Sequence, residues 1–294
     1  MYKLIAIDLD GTLLNEYSVI PETTIEVLRK AKAKGVEIVL SSGRPANSII
    51  TFTNIIGVNN YLIAGNGALL LDIKNNENIF DAFFNKKQAL EIAKICEENS
   101  IFYNAYTQRD IIASSLKYNI LAYEKENLSK PEGQRTHINI VSNIMEYIEN
   151  SNCDKYLKMT ICDDSKIVFD NVLRKLENVQ DVEILKPEWM SKKFFRFGTS
   201  EFGLQYYFSE ITKKNINKWV ALEKLAEKLD IKREEIIAIG DNMNDIEMIK
   251  NAGLGIAMGN AADEVKEVAD HITASYTEEG VKQAIEKFVL NENN

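Results

Sequence analysis

Short apolar runs, each separated from the next by a segment of helical length, occupy both ends of the chain. Lys3 to Ile7, Glu37 to Leu40 and Tyr61 to Ala64 form one set, and Ile236 to Ile239, Gly255 to Met258 and His271 to Thr273 form a second. Runs this short and this continuously apolar read as strands covered on both faces. Pro21 opens the first intervening helix, with Ile25, Leu28 and Ala31 on one face and Gly35 just past its end. A helix through Ile49, Ile50 and Phe52 follows the second run. In the second set, helices are expected from Trp219 to Leu229, from Asp245 to Asn251, around Val265 and from Val281 to Phe288. Strands that alternate with helices in this way predict parallel βαβ units, and so a doubly wound, Rossmann-like α/β core.

Between the two sets the rhythm changes. Gly65-Asn66-Gly67 turns the third strand back into Ala68 to Leu71. Asn85 then caps a helix carrying Ala89, Ile92, Ala93 and Cys96. Strand-like runs follow at Lys155 to Ile161, Val182 to Leu185 and Tyr206 to Ile211, and the polar stretch Glu124 to Arg135 reads as a loop or solvated helix. With 294 residues, 45% of them hydrophobic, the chain can fill two cores. The expected division is a core of residues 1–83 and 213–294, interrupted by an inserted α/β domain of residues 84–212.

Bulk properties remove several function classes. The net charge of −9 comes without a basic stripe, which argues against a nucleic-acid partner. Cys96, Cys153 and Cys162 are scattered, form no C-x-x-C pair and have only His137 and His271 to help them, so a zinc site is not expected. Such cysteines suit reduced thiols and a cytoplasmic location. The apolar run before Asp8 is too short for a signal peptide. No stretch approaches the ~20 apolar residues of a membrane-spanning helix.

The polar groups that matter sit where the strands end. The first strand runs into Asp8 and Asp10, the second into Ser42, and Ile236 to Ile239 into Asp241. In an open parallel sheet, ligands bind beyond the carboxyl ends of the strands. Carboxylates crowded there need a cation, and hard cations such as Mg²⁺ take oxygen ligands. Taken alone, D-x-D after a strand is equally a turn, and Asp241 to Asp245 equally a turn with a helix cap. The two together, each directly after an apolar strand, point to a divalent metal.

These residues also resemble a known family. Asp8-Leu9-Asp10-Gly11-Thr12-Leu13-Leu14 is similar to the first motif of haloacid dehalogenase-like hydrolases, and Ser42-Gly43-Arg44-Pro45 resembles the second motif of their Cof-type branch. Lys218 and Gly240-Asp241-Asn242-Met243-Asn244-Asp245 resemble the third and fourth. Ala257-Met258-Gly259-Asn260-Ala261, Val265-Lys266, Ala269-Asp270 and Glu279-Gly280-Val281 match the branch's C-terminal signature. Two departures stand out: Trp219 replaces the usual glycine after the lysine, and Ser42 stands where threonine is commoner.

The resemblance implies a phosphatase with an inserted cap domain that supplies substrate contacts. It implies that Asp8 is the nucleophile and Asp10 the general acid and base. Mg²⁺ would be held by Asp8, the Asp10 carbonyl and Asp241, with Asp245 acting through water or by orienting Lys218. Leu9, Ser42, Gly43, Lys218 and Asn244 would hold the phosphoryl oxygens. Arg44 is equally placed to bind substrate or to pair with an acid of the core. The expected partner is a small phosphorylated metabolite: sugar phosphates, nucleotides, pyridoxal phosphate and flavin mononucleotide are all compatible. A phosphomutase or phosphotransferase would use the same aspartyl phosphate. A non-catalytic binding protein of this fold would be expected to lack Asp8 or Asp10. Oligomeric state has no signature in the sequence.

Overall fold

The computed structural model describes residues 1–128, 130, 132, 135–197 and 200–290, with the backbone alone described at 188–197 and 200–202. The chain divides into two compact units, Met1–Asp81 with Ile216–Asn294, and Ala82–Asn215.

The first unit begins with β1 (Leu4–Ile7), α1 (Glu22–Ala33), β2 (Glu37–Ser41), α2 (Ala46–Ile56) and β3 (Tyr61–Ala64). A tight turn at Gly65–Gly67 leads into β4 (Leu69–Asp72), and β5 (Glu77–Asp81) follows. All four residues of β1 are buried, as a central strand covered on both faces requires. β5 has no such apolar run: Glu-Asn-Ile-Phe-Asp is only half buried, at the sheet edge, and its mixed pattern gives no strand signal in the sequence.

In the second unit, β6 (Phe84–Asn85) enters α3 (Lys86–Glu98), whose first turn is closed by the Asn85 cap. Asn85 Oδ1 accepts the Gln88 N–H at 3.0 Å, and Gln88 Oε1 accepts the Asn85 N–H at 3.0 Å. The unit continues through β7 (Phe102–Tyr106), β8 (Asp110–Ala113), α4 (Tyr118–Leu128), β9 (His137–Ile140), α5 (Ile144–Asn150), β10 (Lys155–Tyr156), β11 (Lys158–Asp163), α6 (Lys166–Leu176), β12 (Val182–Ile184), β13 (Glu188–Phe197) and β14 (Ser200–Lys213). Phe84, Ile92, Met159, Ile161, Phe169 and Ile211 belong to its separate core.

One expectation changes here. The run Lys155 to Ile161 is two strands: β10 pairs with β6, whereas β11 lies between β7 and β14. Apolarity alone cannot signal that change of sheet. The stretch from Glu124 begins inside α4, which buries little beyond Asn119, Ile120 and Asn127, so helical periodicity is weak. Residues 129, 131, 133 and 134 of that stretch lie outside the described residues.

The chain returns to the first unit with α7 (Lys218–Leu229), β15 (Ile236–Gly240), α8 (Ile246–Asn251), β16 (Leu254–Ala257), α9 (Asp263–Glu267), β17 (His271–Ile272) and α10 (Gly280–Ile285). The sheet order is β17-β16-β15-β1-β2-β3-β4-β5. The six strands from β17 to β3 are parallel, and β4 and β5 are added antiparallel. This is a doubly wound α/β core. Leu4 and Ala6 pack with Ala221, Leu222 and Leu225 of α7 and Met248 of α8. Strand alternation turns Ile5 and Ile7 to the other face. The strand order reverses between β1 and its neighbours β2 and β15, so the crevice at that switch point is the favoured place for a ligand.

The turn at Gly67 binds the sheet to α7. Gly67 has φ +98°, and a Cβ there would lie 2.0 Å from the Asn217 carbonyl oxygen. Gly57, which ends α2 at φ +85°, has no atom within 4 Å of such a Cβ. Gly57→Ala should therefore cost about 1–2 kcal/mol from its backbone conformation alone. Gly67→Ala adds a backbone clash and should cost roughly 3 kcal/mol or more. Urea unfolding of both variants checks this; equal losses would contradict it.

Candidate active site

The site is built at the switch point from the residues just beyond β1, β2 and β15. After β1 the chain turns tightly, and the Leu9 carbonyl accepts N–H bonds from Leu13 at 3.0 Å and Leu14 at 2.9 Å. This turn leaves Asp8 buried at the strand end and Asp10 half exposed. Asp241 follows β15, whose register places Ile239 opposite Ile7. One ligand oxygen from each of Asp8, Asp241 and Asp245 lies within 4.8 Å of the others.

Lys218 enters this group from the first residue of α7. It is 0% exposed, and its Nζ donates to Asp8 Oδ1 at 2.6 Å and to Asp245 Oδ1 at 2.5 Å. Removing that ammonium would strand two buried carboxylates, a cost of about 3–5 kcal/mol by comparison with other broken buried pairs. Trp219 does not disturb the helix start: Asn217 Oδ1 accepts the Val220 N–H at 3.1 Å, and Trp219 packs on the core. Asp245 is fully engaged, because its Oδ2 also accepts the N–H groups of Asp241 and Asn242, both at 3.0 Å. Asp241 is held by Thr12 Oγ1 at 2.8 Å and by Asn260 Nδ2 at 3.2 Å.

The Asp10 carboxylate pairs with Arg44. Arg44 donates through Nε and Nη2 to the two oxygens of Asp10, both at 2.7 Å. The guanidinium is itself buried, bonded to Ser48 at 3.1 Å and lying over the Phe52 ring at 5.6 Å. Of the two roles open to Arg44, the structure has it paired with an acid of the core. Ser42 Oγ accepts the Arg44 N–H at 3.2 Å, shaping the loop that contains Gly43. Asn244 Nδ2 donates to Asn66 Oδ1 at 2.9 Å.

Thr12, Asn260 and Asn66 carry no role in the sequence reading. Thr12 and Asn260 stand inside recognised motifs, but the distances that join them to Asp241 span 229 and 19 residues of chain. Asn66 had only its place between two glycines to mark it.

Electrostatics show what the cluster lacks. Burial is the main influence on Asp8, and with Asp245 and Asp10 it outweighs the opposing Lys218, pushing the carboxyl up to about 7. Asp241 is pushed up to about 8, first by burial, then by Asp8 and Asp245. Burial alone would lower Lys218, yet Asp245 and Asp8 raise it, so the ammonium stays charged. Three carboxylates share one cation. Hard oxygen donors in this number and spacing fit a divalent ion such as Mg²⁺.

A sequence profile of the family described as haloacid dehalogenase-like hydrolase matches residues 5–285. The putative phosphatase YxeH of Bacillus subtilis (strain 168) is 32% identical over 295 residues, covering 99% of each chain. The 5-amino-6-(5-phospho-D-ribitylamino)uracil phosphatase YcsE of the same organism is 31% identical, covering 98% of this chain and 96% of its own. Among solved structures, a haloacid dehalogenase-like hydrolase from Bacteroides thetaiotaomicron superposes with a TM-score of 0.78 at 28% identity, covering 98% of this chain and 99% of its own. The chain belongs to the haloacid dehalogenase-like hydrolases, in their Cof-type branch. It is an enzyme, a phosphoric monoester hydrolase. Among the described residues, no helix is long and apolar enough to cross a membrane.

In the metal-free protein, Asp8 and Asp241 hold protons in the folded state at pH values where the unfolded chain has lost them. That contribution to stability is complete below about pH 4 and is lost as the pH rises through about 7 to 8. In excess chelator the melting temperature should fall between pH 5.5 and 8.5. Added Mg²⁺ should raise it, and by more at pH 8.5, where it no longer competes with protons. A chelated melting temperature that climbs over this interval would contradict the assignment.

Proposed function

We propose that this hydrolase is a Mg²⁺-dependent phosphatase of small phosphorylated metabolites, sugar phosphates or similar, working through an aspartyl phosphate on Asp8. One observation carries the reading: Asp8, Asp241 and Asp245 converge at the sheet's switch point with Lys218 as the only cation bonded to them among the described residues. That arrangement is suited to an anionic substrate accompanied by a metal.

In this reading Asp8 attacks phosphorus as the bond to the leaving alkoxide breaks. Asp10 gives that alkoxide its proton. It then takes a proton from the water that cleaves the acyl phosphate, so the Asp8 carboxylate and inorganic phosphate are released. The bidentate Arg44 contact supports an orienting role, since it fixes the plane of the Asp10 carboxylate. Lys218, Ser42, Asn244 and the backbone N–H groups of Leu9 and Gly43 hold the phosphoryl oxygens. Asp8, the Asp10 carbonyl and Asp241 would hold Mg²⁺, with Asp245, which already accepts from the Lys218 ammonium and from two backbone N–H groups, acting through water. Bound there, the ion would offset phosphate charge so that one anion can attack another.

The core groups would contact only the metal and the phosphoryl group that every phosphate ester carries, so they cannot discriminate among substrates. We assign that task to the inserted unit, Ala82–Asn215. Its free cysteines, like Cys153, suit the reducing cytoplasm.

A panel of phosphometabolites assayed for released phosphate tests the activity. Turnover should vanish in excess chelator and return with Mg²⁺; full activity after chelation and dialysis would remove the metal from the mechanism. Phosphoryl transfer to a sugar without phosphate release would assign a phosphomutase instead. The acid role has its own check. Asp10→Asn should impair alkyl phosphates far more than p-nitrophenyl phosphate, whose leaving group needs little protonation. Equal impairment of both would rule out Asp10 as the acid.

A further inference from the structure

Asn66 belongs to none of the motifs that mark the site, yet it touches two of them. It is 2% exposed and sits in left-handed backbone at φ 57°, ψ 34°. Two main-chain bonds dock its turn onto the loop after β2. The Asn66 N–H donates to the Ser42 carbonyl at 3.1 Å, and the Gly65 N–H to the Arg44 carbonyl at 3.1 Å. The side chain extends the connection. Its Oδ1 accepts from Asn244 Nδ2 at 2.9 Å, and its amide lies close to Gly43, where a Cβ would sit 2.8 Å from Oδ1.

A primary amide has one donor end and one acceptor end of nearly the same shape, and its hydrogen bonds decide which way it points. A fully ionised phosphoryl group is recognised by donors alone, and a carbonyl oxygen turned towards it would repel it. The Asn66 acceptor takes one N–H of Asn244, which fixes that amino end towards Asn66 and leaves a second N–H on it. The opposite end shows the cost of this orientation: Asn244 Oδ1 is buried without a hydrogen-bond partner. Folds seldom leave a buried carbonyl unsatisfied unless something else is gained.

We propose that Asn66 is a positioning residue for phosphate binding. It locks the Ser42–Arg44 loop and the Asn244 amide into one register and makes Asn244 present N–H, not C=O, to the phosphoryl oxygens. This rests on the phosphatase reading above.

The test is a double-mutant cycle in the full-length, Mg²⁺-loaded enzyme. Asn66→Gly keeps the left-handed turn and deletes the amide. It should leave the circular dichroism spectrum unchanged and raise both KM for p-nitrophenyl phosphate and Ki for inorganic phosphate. The expected rise is about tenfold, the size of a lost hydrogen bond to a charged group, with kcat reduced much less. In an Asn244→Ala background the same change should have no further effect, because the group it orients is gone. Independent, multiplicative losses would overturn the inference, as would an unchanged Ki in Asn66→Gly. Should Asn66→Gly not fold, Asn66→Ser replaces it under the same criteria, since this chain already carries serine in left-handed backbone at Ser18 and Ser100. A wild-type protein that neither hydrolyses the ester nor binds phosphate would overturn the phosphatase reading itself. An active wild type with an indifferent Asn66 variant would overturn this inference alone.

Discussion

A single ammonium group ties together the carboxylates at the strand ends of the core. Lys218 Nζ bonds both Asp8 and Asp245 and has no exposure to solvent. The three residues come from the end of β1, the start of α7 and the segment before α8. Buried ions this close are tolerable only when paired and hydrogen-bonded, so each partner fixes the others. Asp245 extends the constraint by accepting two backbone N–H groups from the segment that carries Asp241. The position of the third carboxylate thus depends indirectly on the lysine.

The pairing stops short of neutrality. Lys218 offsets one charge, and Asp8 and Asp241 remain disfavoured as anions mainly by burial. A core built for stability alone would have fewer carboxylates there or more partners for them. Perturbed carboxylates at a strand switch point are the physical mark of a candidate site. Arg44 and Asp10 make a separate, complete pair beside this incomplete one. The two acids of the first motif therefore sit in opposite environments: Asp8 buried among like charges, Asp10 half exposed and clamped.

Much of this was legible from local pattern. β3 was bounded correctly from its apolar residues, and the Asn85 cap from a side chain that bonds three residues along the chain. Such features depend on neighbours in sequence, so the sequence contains them in full. β5 and β9 were missed because edge strands with one wet face have weak apolar signals. The fate of Lys155 to Ile161 was missed because a strand's sheet is chosen by its partners: β10 joined β6 and β11 joined β7 and β14.

The sequence by itself determined the layered α/β core, its family and the residue types at the strand ends. Alternating apolar runs and helix-length spacers leave few ways to bury both faces of a sheet. Only the tertiary structure decided which groups meet. Arg44 could have faced substrate or an acid; the packing of Ser48 and Phe52 around its guanidinium turned it to Asp10. Asn66 looked like turn chemistry until the fold brought Asn244 against it, 178 residues away in the chain. Side-chain bonds over such separations are set by the sheet order and by the loops that close it, and no local pattern in the chain encodes them.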